Sequence, residues 1–411
     1  MAAVEYLIIG GGHAGVTAAA TLRKSGAQGQ LLILSAEPEY PYLRYTLSKD
    51  FLQGKRPRRR TLLRPPEFYQ QQDIQLRTGI QVLRLDPSRH AVTLDTGEEL
   101  AYQTLLLATG ASVRQLPIPG AELDGVYYLR TLADAEALRQ EMAPDRQVVV
   151  VGGGFIGVEV AASLRQNGLQ VTLIHNTQTI WTRLFGEAMG RFFHEGLQQR
   201  GVTILAPAHV ERIEGNGRAH RVITQEGHVL PCDFVVIGVG VRPETALAEQ
   251  AGLRVDNGIV VNEFLESSVQ GIFAAGDSAR FYSSLFETYM RIEHWDVAAQ
   301  QGAAAALNML GQHQPFQEVP YFFSGLFDIW LEYLGYAPEW DQLTIRRHDP
   351  ARFAAFYSQG PYIRGVLLVN NSKELQPCRE LIREKSVIED FSVLENPDVD
   401  LSHYSAQPRE G

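Results

Sequence analysis

A run of apolar residues, a turn of the form Gly-x-Gly-x-x-Gly and a small-residue helical stretch occurs twice in this chain. No other feature restricts its fold as strongly. The first copy is Val4 to Ile9, then Gly10-Gly11-Gly12-His13-Ala14-Gly15 and an Ala-rich segment. The second is Val148 to Val151, then Gly152-Gly153-Gly154-Phe155-Ile156-Gly157 and Val158 to Ala162. Each is followed by another apolar run, Leu31 to Leu34 and Val171 to Ile174, as the second strand of a βαβ unit requires. Glycine permits the tight turn and lets the backbone approach a pyrophosphate closely. The N–H groups and dipole at the helix N-terminus then hold the negative charge. One copy alone is compatible with a simple tight turn. Two copies with correct flanks predict two dinucleotide sites, most economically for two different dinucleotides.

The 411 residues leave room for two or three domains, and 45% hydrophobic content with 20% charged is that of an ordinary globular protein. The net charge of −10 disfavours nucleic acid as a partner. No apolar run approaches the roughly 20 residues of a membrane span, so no membrane role is expected. The chain enters its first strand-like run without a basic leader, which does not read as a signal peptide. Cysteine occurs only at Cys232 and Cys378. A disulfide scaffold, a CxxC redox pair and a cysteine metal site are therefore not expected, nor is any other bound metal. A cytoplasmic location follows as the expectation.

Two further segments have the form of an apolar strand ending in glycine: Leu105 to Thr109 with Gly110, and Ile272 to Ala275 with Gly276-Asp277. From about residue 315 the chain turns aromatic (Tyr321, Phe322, Phe323, Phe327, Trp330, Tyr333). It then alternates apolar and polar residues, as at Phe353 to Tyr357 and Gly365 to Val369. That region reads as a small α+β domain. From Asn396 onward periodicity is weak, and the expectation is an ordered-to-frayed tail.

Gly10 to Gly15, Pro41-Tyr42-x-Arg44-x-x-Leu47-Ser48-Lys49, Ala108-Thr109-Gly110, Gly152 to Glu159, Ala274 to Asp277 and Glu293-His294-Trp295 together carry a resemblance covering nearly the whole chain. It resembles the FAD-dependent pyridine nucleotide-disulfide oxidoreductase superfamily, within it the ferredoxin, rubredoxin and putidaredoxin reductase branch. Relatives of that branch include apoptosis-inducing factor and monodehydroascorbate reductase. Thiol-using members carry cysteine soon after the first glycine turn, but Tyr42 to Lys49 contains none. Electrons are therefore expected to leave from the flavin itself.

The resemblance implies an α/β fold with two Rossmann-like domains, for FAD and NAD(P), and a small C-terminal α+β domain. The expected boundaries are 1–114 and 244–316 for the discontinuous FAD domain, 115–243 for the NAD(P)H domain and 317–411 for the last. Gly10, Gly12, His13, Ala14 and Gly15 would hold the FAD pyrophosphate. Glu37, after the second strand, is the candidate for the adenosine ribose, the alternative being a solvated loop acid. The family motifs place Arg44 and Lys49 close to the cofactor and Val82 at the adenine, and Thr109 and Gly110, which close the first region, are also expected to bind the cofactor. Gly276 and Asp277 would meet the ribityl and phosphate portion, with a helix N-cap as the other role for Asp277. Glu293, His294 and Trp295 open a helix, through Ala298 to Leu310, whose N-terminus would stabilise negative charge on the reduced ring. Lys49 and Glu159 would meet beside the nitrogen that accepts hydride. The alternative is a glutamate that caps or faces solvent. Phe323 is either an aromatic beside the flavin or a core residue. The following Gly325-Leu326 departs from the acidic or polar pair common in the family.

In the second site Gly152, Gly154, Ile156 and Gly157 would hold NADH or NADPH, with Gly240 bordering the nicotinamide. An NAD-type site places a carboxylate at the end of its second strand, where this chain has His175-Asn176. Arg183 is the nearest cation for a 2′-phosphate. Family grounds favour NADH. The basic run Lys55, Arg56, Arg58, Arg59, Arg60 and Arg64 stands out against the net charge. It is either a solvated face or a docking patch for an acidic iron–sulfur carrier, ferredoxin or rubredoxin. The expected activity is hydride transfer from NAD(P)H to FAD and then single electrons to that carrier. A small-molecule (quinone or monodehydroascorbate-like) reductase and an NADH redox sensor remain as alternatives. The C-terminal domain is a candidate homodimer surface.

Overall fold

The computed structural model describes residues 3–404; the expected tail from 405 onward lies outside the described residues. The chain folds as two compact units. One takes the residues up to Leu43 with Thr61–Ser112 and Arg242–Phe322. The other takes Arg44–Arg60, Val113–Val241 and the residues from Phe323 on.

In the first unit the strands Gln75–Thr78, Leu31–Ser35, Val4–Ile9, Glu99–Leu107 and Ile272–Ala274 lie side by side, all parallel. Parallel strands are covered on both faces, so their sequences run apolar without alternation. Leu7, Ile8, Ile33, Leu105, Leu106 and Leu107 are wholly buried, each such side chain contributing about 1.5–3 kcal/mol. The first half of Glu99–Leu107 also pairs antiparallel with Ala91–Leu94, which pairs with Val82–Asp86. Between the first two strands runs the helix His13–Lys24, burying Val16, Ala18, Ala19 and Leu22. Arg23 and Lys24 in its last turn suit the negative end of its dipole. The helix Trp295–Met309 crosses it so closely that a Cβ on Gly302 would fall 2.2 Å from the Ala14 carbonyl oxygen.

The second unit repeats that plan. Thr203–Leu205, Gln170–Ile174, Gln147–Val151, Phe234–Ile237 and Val126–Tyr128 form a parallel sheet in the same spatial sense. The helix Phe155–Gln166 follows the second glycine turn. A three-stranded antiparallel sheet, Val210–Asn216, Arg218–Thr224 and Val229–Pro231, follows the parallel one.

From Phe323 on the same unit contains a five-stranded sheet, whose first strand starts at Tyr321, ordered Tyr321–Leu326, Ile329–Gly335, Tyr362–Val369, Arg352–Gln359, Gln342–Asp349, followed by the helix Leu375–Arg383. The alternation expected at Phe353 to Tyr357 and Gly365 to Val369 is corrected here. Phe353 through Ser358 are continuously buried, as are Gly365 through Val369. The reason is packing beyond the sheet. Phe353 meets Phe192 of the helix Thr182–Gln199 edge-on at 5.1 Å, and the Tyr357 hydroxyl donates to the Phe185 carbonyl at 2.9 Å. Arg200 ties the same helix to Asp328 at 2.5 Å.

The tail is anchored where it is described. Arg346, 2% exposed, pairs with Glu374 at 2.8 Å and donates to the carbonyls of Asn396, Pro397 and Val399 at 2.6–2.8 Å. Leu401 is buried in the short 3-10 turn Leu401–Tyr404 that follows.

Candidate functional site

The two glycine turns match position by position. Gly10, at φ +121°, lies where a Cβ would fall 2.0 Å from the Ala108 carbonyl oxygen; Gly152, at φ +120°, stands in the same relation to Gly238, at 2.3 Å. Gly15 and Gly157 each face the carbonyl of their own first glycine at 2.0 Å. Those four positions are fixed by packing. Gly12 differs: a Cβ there meets nothing within 4 Å, and one on Gly154 meets only the Gly238 carbonyl, at 4.0 Å. Neither Gly12 nor Gly154 supplies a side-chain cap to its helix. The first-turn N–H groups are thus directed into open space beside a glycine, the cradle a pyrophosphate needs. A dinucleotide fits both turns.

In the first unit, Ala14 packs beneath Gly276, whose φ is +79° and whose N–H donates to Gln301 Oε1 at 2.8 Å. His13 lies edge-on to Trp295 at 5.5 Å, so the starts of the helices His13–Lys24 and Trp295–Met309 converge. Burial, aided by the charge of Arg64, lowers the His13 imidazole to about 4, and it is neutral at pH 7. Glu37 lies two residues past the strand end and accepts the Tyr42 hydroxyl. Val82 opens its strand half-buried. Thr109 donates to the Glu244 carbonyl at 2.6 Å, and Gly110 accepts the Glu244 N–H at 2.9 Å, so both secure the returning chain. The N-cap alternative for Asp277 is corrected: Ala275 occupies the cap, and Asp277 is the middle residue of the 3-10 turn Gly276–Ser278. Glu293 is exposed and paired with Arg291 at 2.6 Å. His294 is the N-cap of its helix, and its ring lies tilted against Phe322 at 4.4 Å. Burial takes its imidazole down to about 4.

The second unit brings together residues far apart in sequence. Lys49 Nζ lies 2.7 Å from Glu159 Oε1, and both side chains are largely buried. Glu159 also accepts the Ser324 hydroxyl at 2.6 Å on Oε1 and the Ser48 hydroxyl on Oε2. A buried carboxylate with three donors is satisfied; it neither caps a helix nor faces solvent. Ser48 and Ser324 were not singled out from sequence. A polar residue between Phe322 and Leu326, on the inward side of its strand, is the signal that marks Ser324. Arg44 donates to the Arg130 carbonyl at 2.6 Å. Phe323 stacks on Trp330 at 4.7 Å and meets Tyr45 edge-on at 5.6 Å.

At the second turn, strand register places Ile174 opposite Val151 as Leu34 lies opposite Ile9. Gly153 abuts His175 as Gly11 abuts Ser35. His175 therefore takes the place of Ser35, and Thr177 the place of Glu37. His175 is 4% exposed, its Nδ1 lies 3.1 Å from Thr177 Oγ1, and its ring is edge-on to His194 at 5.7 Å. Burial first, then the neighbouring His194, lowers it to about 4. Arg183 is exposed, Ile156 is exposed beside the turn, and Gly240 adopts φ +101° against Arg114.

Of the basic run, Arg58 holds both Glu136 carboxylate oxygens at 2.8 and 3.0 Å, and Arg56 lies 3.6 Å from Asp50. Lys55, Arg59, Arg60 and Arg64 are exposed, with Arg64 over the Phe68 ring. Among the described residues, no cluster of three potential metal ligands occurs and no helix is long and apolar enough to cross a membrane.

Residues 4–302 match the model of the pyridine nucleotide-disulphide oxidoreductase family, and residues 321–405 that of the reductase C-terminal domain. A ferredoxin–NAD(P)(+) reductase of Sphingomonas sp. is 33% identical over 94% of each chain. The ferredoxin–NAD(+) reductase component of the anthranilate 1,2-dioxygenase system of Burkholderia cepacia is 37% identical over 98% of this chain and 100% of its own. The fold superposes on the reductase in the crystal structure of a covalent putidaredoxin reductase–putidaredoxin complex with a TM-score of 0.94, 33% identity and 98% of both chains covered.

Proposed function

This chain belongs to the pyridine nucleotide-disulphide oxidoreductase family, and on that premise we propose that it moves electrons from NAD(P)H through FAD to a ferredoxin- or rubredoxin-type iron–sulfur protein. The observation that carries this reading is the pair of uncapped glycine turns, each with a glycine whose Cβ direction is open. FAD, when bound, supplies two-electron acceptance and one-electron release. The chain's own residues do the rest. Gly10, Gly12 and Gly15 admit the FAD pyrophosphate, and Glu37, steadied by Tyr42, takes the adenosine ribose. Gly152, Gly154 and Gly157 admit the nicotinamide dinucleotide. Lys49, held by Glu159, supplies the positive charge that favours the reduced flavin. With Cys232 and Cys378 both buried and free, the reading needs no thiol relay, and it fits a reducing cytoplasm.

NADH is the proposed working donor on family grounds. Thr177 in place of a carboxylate puts no negative charge at that position against a 2′-phosphate, so NADPH is admitted as well. The carrier is proposed to approach Lys55, Arg59 and Arg60, three exposed cations of the run. Reversing those three charges should raise the KM for ferredoxin without changing the reduction of a small dye. The decisive experiment is anaerobic stopped-flow reduction of the FAD-loaded protein by NADH and by NADPH. Flavin bleaching at tens per second or more, on the usual enzymatic scale, supports the reading. Slow bleaching into a long-lived, air-stable charge-transfer species overturns it in favour of a sensor.

A further inference from the structure

We infer that Ser324, together with Ser48, is a positioning residue that sets how strongly Glu159 holds Lys49, and so how much of the lysine's charge is left for the role proposed for it. The inference rests on the proposed role of Lys49. Ser324 is wholly buried in the strand Tyr321–Leu326, on the face that also buries Phe322 and Leu326. A hydroxyl on an apolar face costs free energy unless it is bonded, and this one donates at 2.6 Å to Glu159 Oε1. That oxygen is the one Lys49 approaches at 2.7 Å. Ser48 donates to the other oxygen, Oε2. The Ser48 carbonyl in turn accepts the Ser163 hydroxyl at 2.7 Å, and Gln53 donates to Ser163 at 2.9 Å, fixing the Ser48 backbone on the helix Phe155–Gln166. Three stretches remote in sequence thus converge on one carboxylate.

The consequence is electrostatic. A hydroxyl donating to Oε1 draws off part of the charge that would otherwise act on Lys49 alone. With Ser324 removed, the carboxylate concentrates on Lys49, masks more of its charge and pulls it toward the helix. Lys49 then does less for an anionic reduced flavin. A merely structural serine would lower stability and leave the flavin's potential where it was.

The test measures the flavin midpoint potential and the thermal midpoint of the full-length FAD-loaded protein, in Ser324→Ala, Ser324→Thr and Ser48→Ala, each with Lys49 intact and with Lys49→Met. The expected result is a fall of about tenfold in the reduction equilibrium for Ser324→Ala, which is about 30 mV for a two-electron couple. Ser324→Thr should restore the parent value, and Ser48→Ala should give a smaller shift of the same sign. With Lys49→Met the serine changes should move the potential no further. A potential unchanged in Ser324→Ala while the thermal midpoint falls overturns the inference alone, as does an equal shift in both Lys49 backgrounds. If Lys49→Met by itself leaves the potential unchanged, the assigned role of Lys49 fails and the inference falls with it.

Discussion

Replacing Glu159 by glutamine tests whether the Lys49–Glu159 contact is a buried pair or a surface one. The amide keeps the shape and can still accept from Lys49 and Ser324, while Ser48 can turn its hydroxyl to accept from the new NH2. What disappears is the negative charge opposite an ammonium whose side chain is 13% exposed. Exposed pairs are worth about 0.2–1 kcal/mol, whereas removing one partner of a buried pair costs about 3–5 kcal/mol. The residual access of Lys49 and the surviving neutral acceptor put the expected loss at the lower end, about 3 kcal/mol. At about 2–4 °C per kcal/mol for a body of this size, Tm should fall by about 6–12 °C. The assay is thermal unfolding of Glu159→Gln, of Lys49→Met and of the double variant under identical FAD saturation. The double variant, with no stranded ammonium, should recover at least half of the loss. A single-variant loss below about 1 kcal/mol, or strict additivity in the double, refutes the buried-pair reasoning.

Gly12→Val should leave the fold of the apoprotein intact, because its Cβ meets nothing, yet reduce FAD retention more than tenfold; visible absorbance after gel filtration reads this directly. Gly10→Ala, by contrast, should not yield folded protein, since Ala108 blocks its Cβ and φ is +121°. Thr177→Glu places a carboxylate where the first unit has Glu37, and the ratio of kcat/KM for NADH over NADPH should rise by about tenfold, equivalent to about 1.4 kcal/mol. Glu141 supplies a pH prediction: burial raises its carboxyl, but hydrogen bonds from Arg218, Tyr127 and Arg146 outweigh that and hold it at about 2. A carboxyl depressed in the folded state stabilises above its unfolded value and loses that contribution as pH falls through the folded one. Stability should therefore decline between about pH 4.5 and pH 2, and Glu141→Gln should flatten that part of a Tm-versus-pH curve.

The features legible in sequence were those written in short, contiguous patterns. A six-residue glycine turn between two apolar runs is a local code, and both copies folded as the periodicity implied. Glu293-His294-Trp295 likewise marked a helix start within one or two residues. The carboxylate that gathers Ser48, Lys49 and Ser324 was only half legible. Family motif supplied the lysine and the glutamate, but no spacing rule links hydroxyls 111 and 165 positions away. The correspondence of Thr177 with Glu37 required strand register, because composition suggested His175 instead. The alternation expected over Phe353 to Tyr357 did not hold, since a strand's second face can be covered by a helix from another part of the chain. The hold of Arg346 on the tail was equally invisible, being a side chain bonded to backbone carbonyls some 50 residues further on.

That arginine makes the far end of the described chain a structural member in its own right. Three of the acceptors around the guanidinium are main-chain oxygens, so no substitution between Asn396 and Val399 that spares the backbone conformation can unfasten it. Removal of those residues would do so, stranding charged donors inside the sheet at about 1–3 kcal/mol for each unsatisfied group. Shortening the protein to residue 395 should therefore cost far more than the loss of Leu401 from the core implies. Single replacements of the exposed side chains along the same stretch should pass almost unnoticed.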